Sequence, residues 1–283
     1  KPNDVILVIG KPEVLMQVYN VIGKTQGQFP MPFGSNIYLY LDLYLEDENS
    51  VKKAIEEAKY LNQKLKNNLL IVRVTRPTTV DIMDFIKKEL KHFSSILFLI
   101  DYANKGFAKI IKEDARKHNI GMIMLTQEMF KNKNDTKSVL ELKIPVFKFG
   151  KEKLKSIKRT VIILNDTNSY EQISPIVFDI SSQLKVKTKV FDLDPIGEKE
   201  GKSNLLDHFE NLAKIFNEKL EVVTSGENPI RELKKQRNML QILPLKEDMF
   251  KKRFSFKFLY TNSDFIAFDM NKFNQLLIPI VEE

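Results

Sequence analysis

From Asn36 onward the apolar positions switch between two periods: short strand-like runs and longer stretches at helical spacing. Ile37 to Leu43 predicts a strand. Ser50 to Leu65 predicts a helix, with Val51, Ala54, Ile55, Ala58, Leu61 and Leu65 on one face. Strands follow at Leu69 to Val74, Ile96 to Ile100, Gly121 to Leu125 and Pro145 to Phe149, and helices at Val80 to Leu90 and Phe107 to Lys117. Ser138 to Glu141 predicts a single helical turn. The order restarts at Arg159, with strands at Val161 to Leu164, Val186 to Leu193, Glu221 to Val223, Leu240 to Leu243 and Leu276 to Val281. Helices lie between them at Ser169 to Gln183, Asn204 to Asn217 and Pro229 to Gln236, and Phe254 to Tyr260 predicts an extra strand. Alternating strands and helices imply a mostly parallel sheet covered on both faces. The expected fold class is α/β, with two tandem doubly wound, mostly parallel five-stranded sheets.

Both units close on a similar phrase, Leu142-Lys143-Ile144-Pro145-Val146 and Leu277-Ile278-Pro279-Ile280-Val281. A proline is tolerated at the first residue of a strand. Its recurrence at what read as equivalent ends argues for an internal repeat over two unrelated domains. Ahead of the first unit, Val5 to Ile9 predicts a strand ending at Gly10, and Pro12 to Ile22 a helix. The expected boundaries are a tail of another domain at 1–22, a Gly/Pro-rich linker at 23–35, a first α/β domain at 36–150, a basic linker at 151–158 and a second α/β domain at 159–283. The chain opens on Lys1, directly on a strand-like run, and is expected to be a piece of a longer protein.

Composition narrows the classes. Forty-three per cent of residues are hydrophobic, enough for real cores, and there is no cysteine, which removes disulfides, cysteine metal sites and thiol nucleophiles. No apolar run approaches the roughly 20 residues that span a bilayer. The net charge is +8, but the lysines are interleaved with glutamates. The densest run, Lys148 to Arg159, reads as a solvated linker, with an anionic partner as the alternative. Phe250, Phe254, Phe256, Phe258 and Tyr260, set among Lys251, Lys252, Arg253 and Lys257, read as a buried strand face or a subunit contact, with single-stranded nucleic acid as the alternative. No specific nucleic-acid partner is expected.

The candidate chemistry sits at the carboxyl ends of strands, where doubly wound sheets bind ligands. Asp42 and Asp166 close the first strand of each unit, and Gly226 stands in a strand-to-helix turn where a ligand can approach closely. Each also has an ordinary reading. Asp166-Thr167-Asn168-Ser169 is rich in capping side chains, and Gly226 suits a turn. The three histidines, His92, His118 and His208, are far apart in sequence, and no metal site is expected. Asp192 and Asp194, ahead of Pro195-Ile196-Gly197, read as a solvated turn, with a cation site as the alternative. There is no G-x-S-x-G elbow and no Walker loop.

Two resemblances follow from these residues. Asn3-Asp4-Val5-Ile6-Leu7-Val8-Ile9-Gly10, followed by Pro12-Glu13-Val14-Leu15, resembles the end of an RCK C-terminal (TrkA-C) domain. The two units resemble universal stress protein domains, through Leu39-Tyr40-Leu41-Asp42 and Ile162-Ile163-Leu164-Asn165-Asp166. The resemblance implies a TrkA-like potassium-transport regulatory protein: a non-catalytic, cytoplasmic regulatory and interaction module, at the inner face of the membrane. Its implied partners are further copies of itself and a membrane cation transporter or channel. In nucleotide-binding relatives the acid contacts adenine and a glycine-rich loop after the fourth strand cradles the phosphates. Here Thr126-Gln127-Glu128-Met129-Phe130-Lys131 and Pro244-Leu245-Lys246-Glu247-Asp248 lack glycine and carry acids. No cofactor is therefore expected, and the alternative is an adenine nucleotide in either unit, at Asp42 in the first or at Asp166 and Gly226 in the second.

Overall fold

The computed structural model describes residues 28–31, 33–103, 105–164, 167–193, 202–245 and 270–280. The RCK-like stretch 1–22, Asp166, Asp194 and Phe254 to Tyr260 lie outside them. The strands are β1 (Asn36–Asp42), β2 (Leu69–Thr75), β3 (Ile96–Asp101), β4 (Ile120–Leu125), β5 (Val146–Lys148), β6 (Arg159–Ile163), β7 (Lys187–Leu193), β8 (Leu220–Ser225), β9 (Met239–Leu245) and β10 (Asn274–Pro279). The helices are α1 (Glu48–Lys64), α2 (Val80–Leu90), α3 (Phe107–Lys117), α4 (Gln127–Lys131), α5 (Lys133–Leu140), α6 (Thr167–Leu184), α7 (Lys202–Phe216) and α8 (Pro229–Lys235).

The α/β reading holds, but the strands form one sheet. Its order is β3-β2-β1-β4-β5-β10-β9-β6-β7-β8. Every neighbouring pair is parallel except β5 with β10, which run antiparallel, Leu276 opposite Phe147 and Leu277 opposite Val146. The strand order is therefore the same read inward from either edge. Pro145 stands just ahead of β5, whereas Pro279 ends β10. The two closing phrases are thus not equivalent positions.

Alternation along the strands sorts the core into two layers. Leu39, Leu41, Val72 and Val74 belong to one layer, with Ile55 of α1, Ile86 of α2, Val177 of α6 and Phe209 of α7. Tyr38, Tyr40 and Ile71 face the other way, onto Phe107, Ile110 and Phe130 of α3 and α4. Each layer runs through both halves. Helix starts obey local capping chemistry: Asp47 accepts the Ser50 N–H at 2.7 Å ahead of α1, and Thr126 accepts that of Met129 ahead of α4. Asn132 caps α5, which is a full helix where apolar spacing predicts one turn.

The basic stretch between the halves is partly interior. Lys148 is 1% exposed, its Nζ donating to the Gln275 side chain (3.2 Å) and the Met270 carbonyl (3.3 Å) across the β5–β10 seam. Leu154 is buried too, and its N–H donates to Glu57 of α1 at 2.7 Å. Likewise Phe29, in the stretch 23–35, is a core residue.

Candidate functional site

In the first half the chain leaves β1 along one face of the sheet, through α1, and reaches β4 along the other, through α3. The carboxyl ends of β1 and β4 therefore diverge at a topological switch point, the usual place for a ligand on such a sheet. Asp42 ends β1 there and is 4% exposed. Its carboxylate is already engaged. Arg76 donates from Nε at 2.9 Å and Nη2 at 2.5 Å to Oδ2, and the Tyr44 N–H donates to Oδ1 at 3.1 Å. Arg76 reaches it from the end of β2 with φ of 47°, the left-handed region an arginine seldom enters. Its guanidinium also lies 4.9 Å from the centre of the Tyr44 ring. The Arg-Pro pair just past a strand end was the only sequence signal for this residue, and reading it alone would not have paired it with Asp42.

Beside Asp42 a cleft of about 190 Å3 opens between the β1 and β4 ends, lined by Glu46, Ser50, Lys53, Thr126, Gln127 and Gly150 among others. Apart from Thr126 and Gln127 these residues were not singled out by sequence, because they converge only through the β1–β4 pairing. Glu46 is buried and accepts a short hydrogen bond from the Thr126 hydroxyl, which ties the β1–α1 loop to the start of α4. Burial raises its carboxyl above the usual range. The carboxylates of Glu128, Asp47 and Asp42 push the same way, against the Thr126 bond. Lys53 is held along the cleft wall, its Nζ donating to the carbonyls of Gly150 (2.6 Å) and Lys151 (2.8 Å). Burial, and Lys153 nearby, lower its affinity for the proton, while Glu57 opposes them.

This chemistry does not suit a triphosphate. Ligand pockets ordinarily measure about 300–1,000 Å3, more than this cleft offers. Phosphate cradles present backbone N–H groups and positive potential, whereas here Thr126 caps its own helix and the lining sets two acids, Glu46 and Glu128, against two lysines, Lys53 and Lys151.

Gly226 follows β8 at the far edge of the sheet, and a side chain there would meet nothing within 4 Å. Seven inter-strand spacings separate it from Asp42, roughly 34 Å at about 4.8 Å each. The two are not parts of one site. Asp192 is a buried residue of β7.

The histidines stay apart. His92 is exposed, and His118 ends α3 against Tyr38, ring centres 5.9 Å apart. His208 of α7 meets Ser174 of α6 at 2.9 Å. Ser174 donates its hydroxyl hydrogen to the Glu171 carbonyl at 2.7 Å. That carbonyl competes with His208 for the one hydroxyl hydrogen of Ser174. Among the described residues no group of three or more His, Asp or Glu could hold a metal ion. A further buried acid forms a strut: Asp114 of α3 accepts from the Tyr40 hydroxyl at 3.1 Å and lies 3.3 Å from Arg73. Burial raises the Asp114 carboxyl, with Arg73 and Tyr40 opposing.

No family model matches the chain, and no curated protein matches it. Solved structures do. A putative universal stress protein from Pseudomonas aeruginosa UCBPP-PA14 shares 13% identity over 87% of this chain and 93% of its own, with a TM-score of 0.60. The functionally unknown protein PA1789 from Pseudomonas aeruginosa PAO1 shares 12% over 87% and 92%, with a TM-score of 0.58. A universal stress protein from Archaeoglobus fulgidus DSM 4304 shares 12% over 86% and 96%, with a TM-score of 0.53. At such identities the likeness is one of fold. Among the described residues no helix is long and apolar enough to cross a membrane.

Proposed function

We propose that this chain is a non-catalytic regulatory and interaction module, built as a tandem duplication of a universal-stress-protein-like unit, that acts from the cytoplasmic side on a potassium or other cation transporter or channel. The observation that carries the non-catalytic reading is the state of Asp42. The one acid that sequence placed at the first-half switch point is buried and paired to Arg76, and the adjoining cleft is small. The duplication rests on the mirrored strand order, five strands to each half. The link to potassium transport rests on the resemblance of residues 3–15 to an RCK C-terminal domain, and the stress-protein part on the fold.

The test is mass spectrometry of small molecules released by denaturing freshly purified protein. The expected result is an empty protein. A stoichiometric adenine nucleotide would overturn this reading for a nucleotide sensor. Asp166→Ala should then abolish retention if the second half holds it, and Asp42→Ala if the first does.

A further inference from the structure

The two free edges of the sheet, among the described residues, are chemically unlike. The β8 edge carries Glu221, half-exposed and joined to Lys189 at 2.7 Å, and ends in Thr224 and Ser225. The β3 edge reads Ile96-Leu97-Phe98-Leu99-Ile100 before its first charge at Asp101. It holds no proline, and it pairs with β2 without a bulge. Natural sheets blunt free edges with charges, prolines or bulges, because unpaired backbone N–H and C=O groups recruit another strand. On β3 nothing among the described residues does so.

The strand is also under-covered. Helix α3 crosses nearer the middle of the sheet, where Phe107 packs on Tyr40 at 5.3 Å and Asp114 reaches Tyr40 and Arg73. Leu97 is left 41% exposed, and Phe98, Leu99 and Ile100 are only half-buried.

We propose that β3 is a self-association edge, pairing antiparallel with β3 of a second copy to continue the sheet from one molecule into the next. The charge on α2 selects a copy of this chain as the occupant. This helix packs beside β3 with Met83, Ile86 and Leu90 inward. Its exposed side is acidic at the start, at Asp81 and Asp84, and basic at the end, at Lys87, Lys88 and Lys91. A two-fold axis that sets the strands antiparallel sets the helices antiparallel as well. The acidic end of each α2 then meets the basic end of the other, and the half-exposed Ile82 and Phe85 adjoin the seam. With the axis at Phe98, which then faces Phe98 of the copy, Asp101 faces Ser95 of the copy and no two carboxylates oppose. The chain already makes one such closure within itself, at β5–β10.

Sedimentation equilibrium of the full chain over a concentration series tests this. The expected result is a monomer–dimer equilibrium. Leu97→Lys should raise the dimer dissociation constant about tenfold or more, and Val222→Lys on the opposite edge should leave it unchanged. Asp81→Lys with Asp84→Lys should weaken the dimer, and adding Lys88→Asp with Lys91→Asp should restore it. The charge series lies wholly at exposed positions, so it remains decisive if Leu97→Lys fails to fold. A monomer at every concentration overturns the proposal. So does a dimer that Val222→Lys breaks and Leu97→Lys spares, or a charge series without effect.

Discussion

The carboxylate of Asp179, on α6 in the second half, accepts the backbone N–H of Phe29 at 2.8 Å, and that of Gln28 at 2.9 Å. Two residues separated by 150 positions thus fix the route by which the chain enters the sheet. Gln183, one turn further along α6, donates to the Phe29 carbonyl at 3.1 Å and accepts the Lys66 N–H at 2.7 Å. The Phe29 ring is sealed into the layer of core beneath α1 and α6.

Asp179→Ala should therefore destabilise the protein by about 2 kcal/mol, the usual worth of a charge-assisted hydrogen bond plus the cost of stranding buried donors. Asp179→Asn, which keeps one acceptor oxygen, should cost about half as much. Urea unfolding of the two variants checks this, and limited proteolysis should show earlier cleavage near residue 28 in the alanine variant.

Arg76→Ala should cost about 2 kcal/mol because it leaves the buried Asp42 carboxylate without its counter-charge. In a double-mutant cycle with Asp42→Asn, the two single losses should sum to more than the loss in the double variant. Strict additivity would show that the fork contributes nothing and would reopen Asp42 as a ligand-binding acid.

Gly150 lies at the seam between the halves. Its N–H donates to the Asn274 side chain at 2.8 Å, and a methyl group on its Cα would overlap the Phe273 carbonyl. Gly150→Ala should cost about 1–3 kcal/mol through forced overpacking. Hydrogen exchange should locate the damage in β5 and β10 and spare β2 and β7.

Glu46 carries a pH dependence. Its carboxyl is raised above an ordinary value of 4.5, chiefly by burial. The folded state then holds the proton more tightly than the unfolded chain, so the stability this group contributes is full below 4.5 and is lost as pH rises through the raised value. Glu46→Gln keeps an acceptor for Thr126 and removes the ionisation. The variant should match the parent in acid and gain on it toward neutral pH, in urea titrations run at both. A parent that gains on the variant as pH rises would contradict the assignment.

What could be read from the amino-acid order was local. Strand and helix periods placed β1 to β4, α1 to α3 and most of the second half, because the alternation of apolar residues along a segment depends only on that segment. The lack of glycine after β4 argues against a phosphate loop there, but the helix α4 that follows Thr126 was not legible in the apolar spacing. Lys148, by contrast, looked like one lysine of a solvated run and is an interior residue, since its burial depends on β10 arriving from more than 120 residues away. Asp42 could be located at a strand end, but its engagement by Arg76 could not, because β1 and β2 meet only through their register. Joining two five-stranded sheets into one, and leaving an apolar β3 at the edge, was decided by tertiary structure alone. Any parallel strand can satisfy its backbone against several partners, and which pairing prevails is set by the packing of both layers at once.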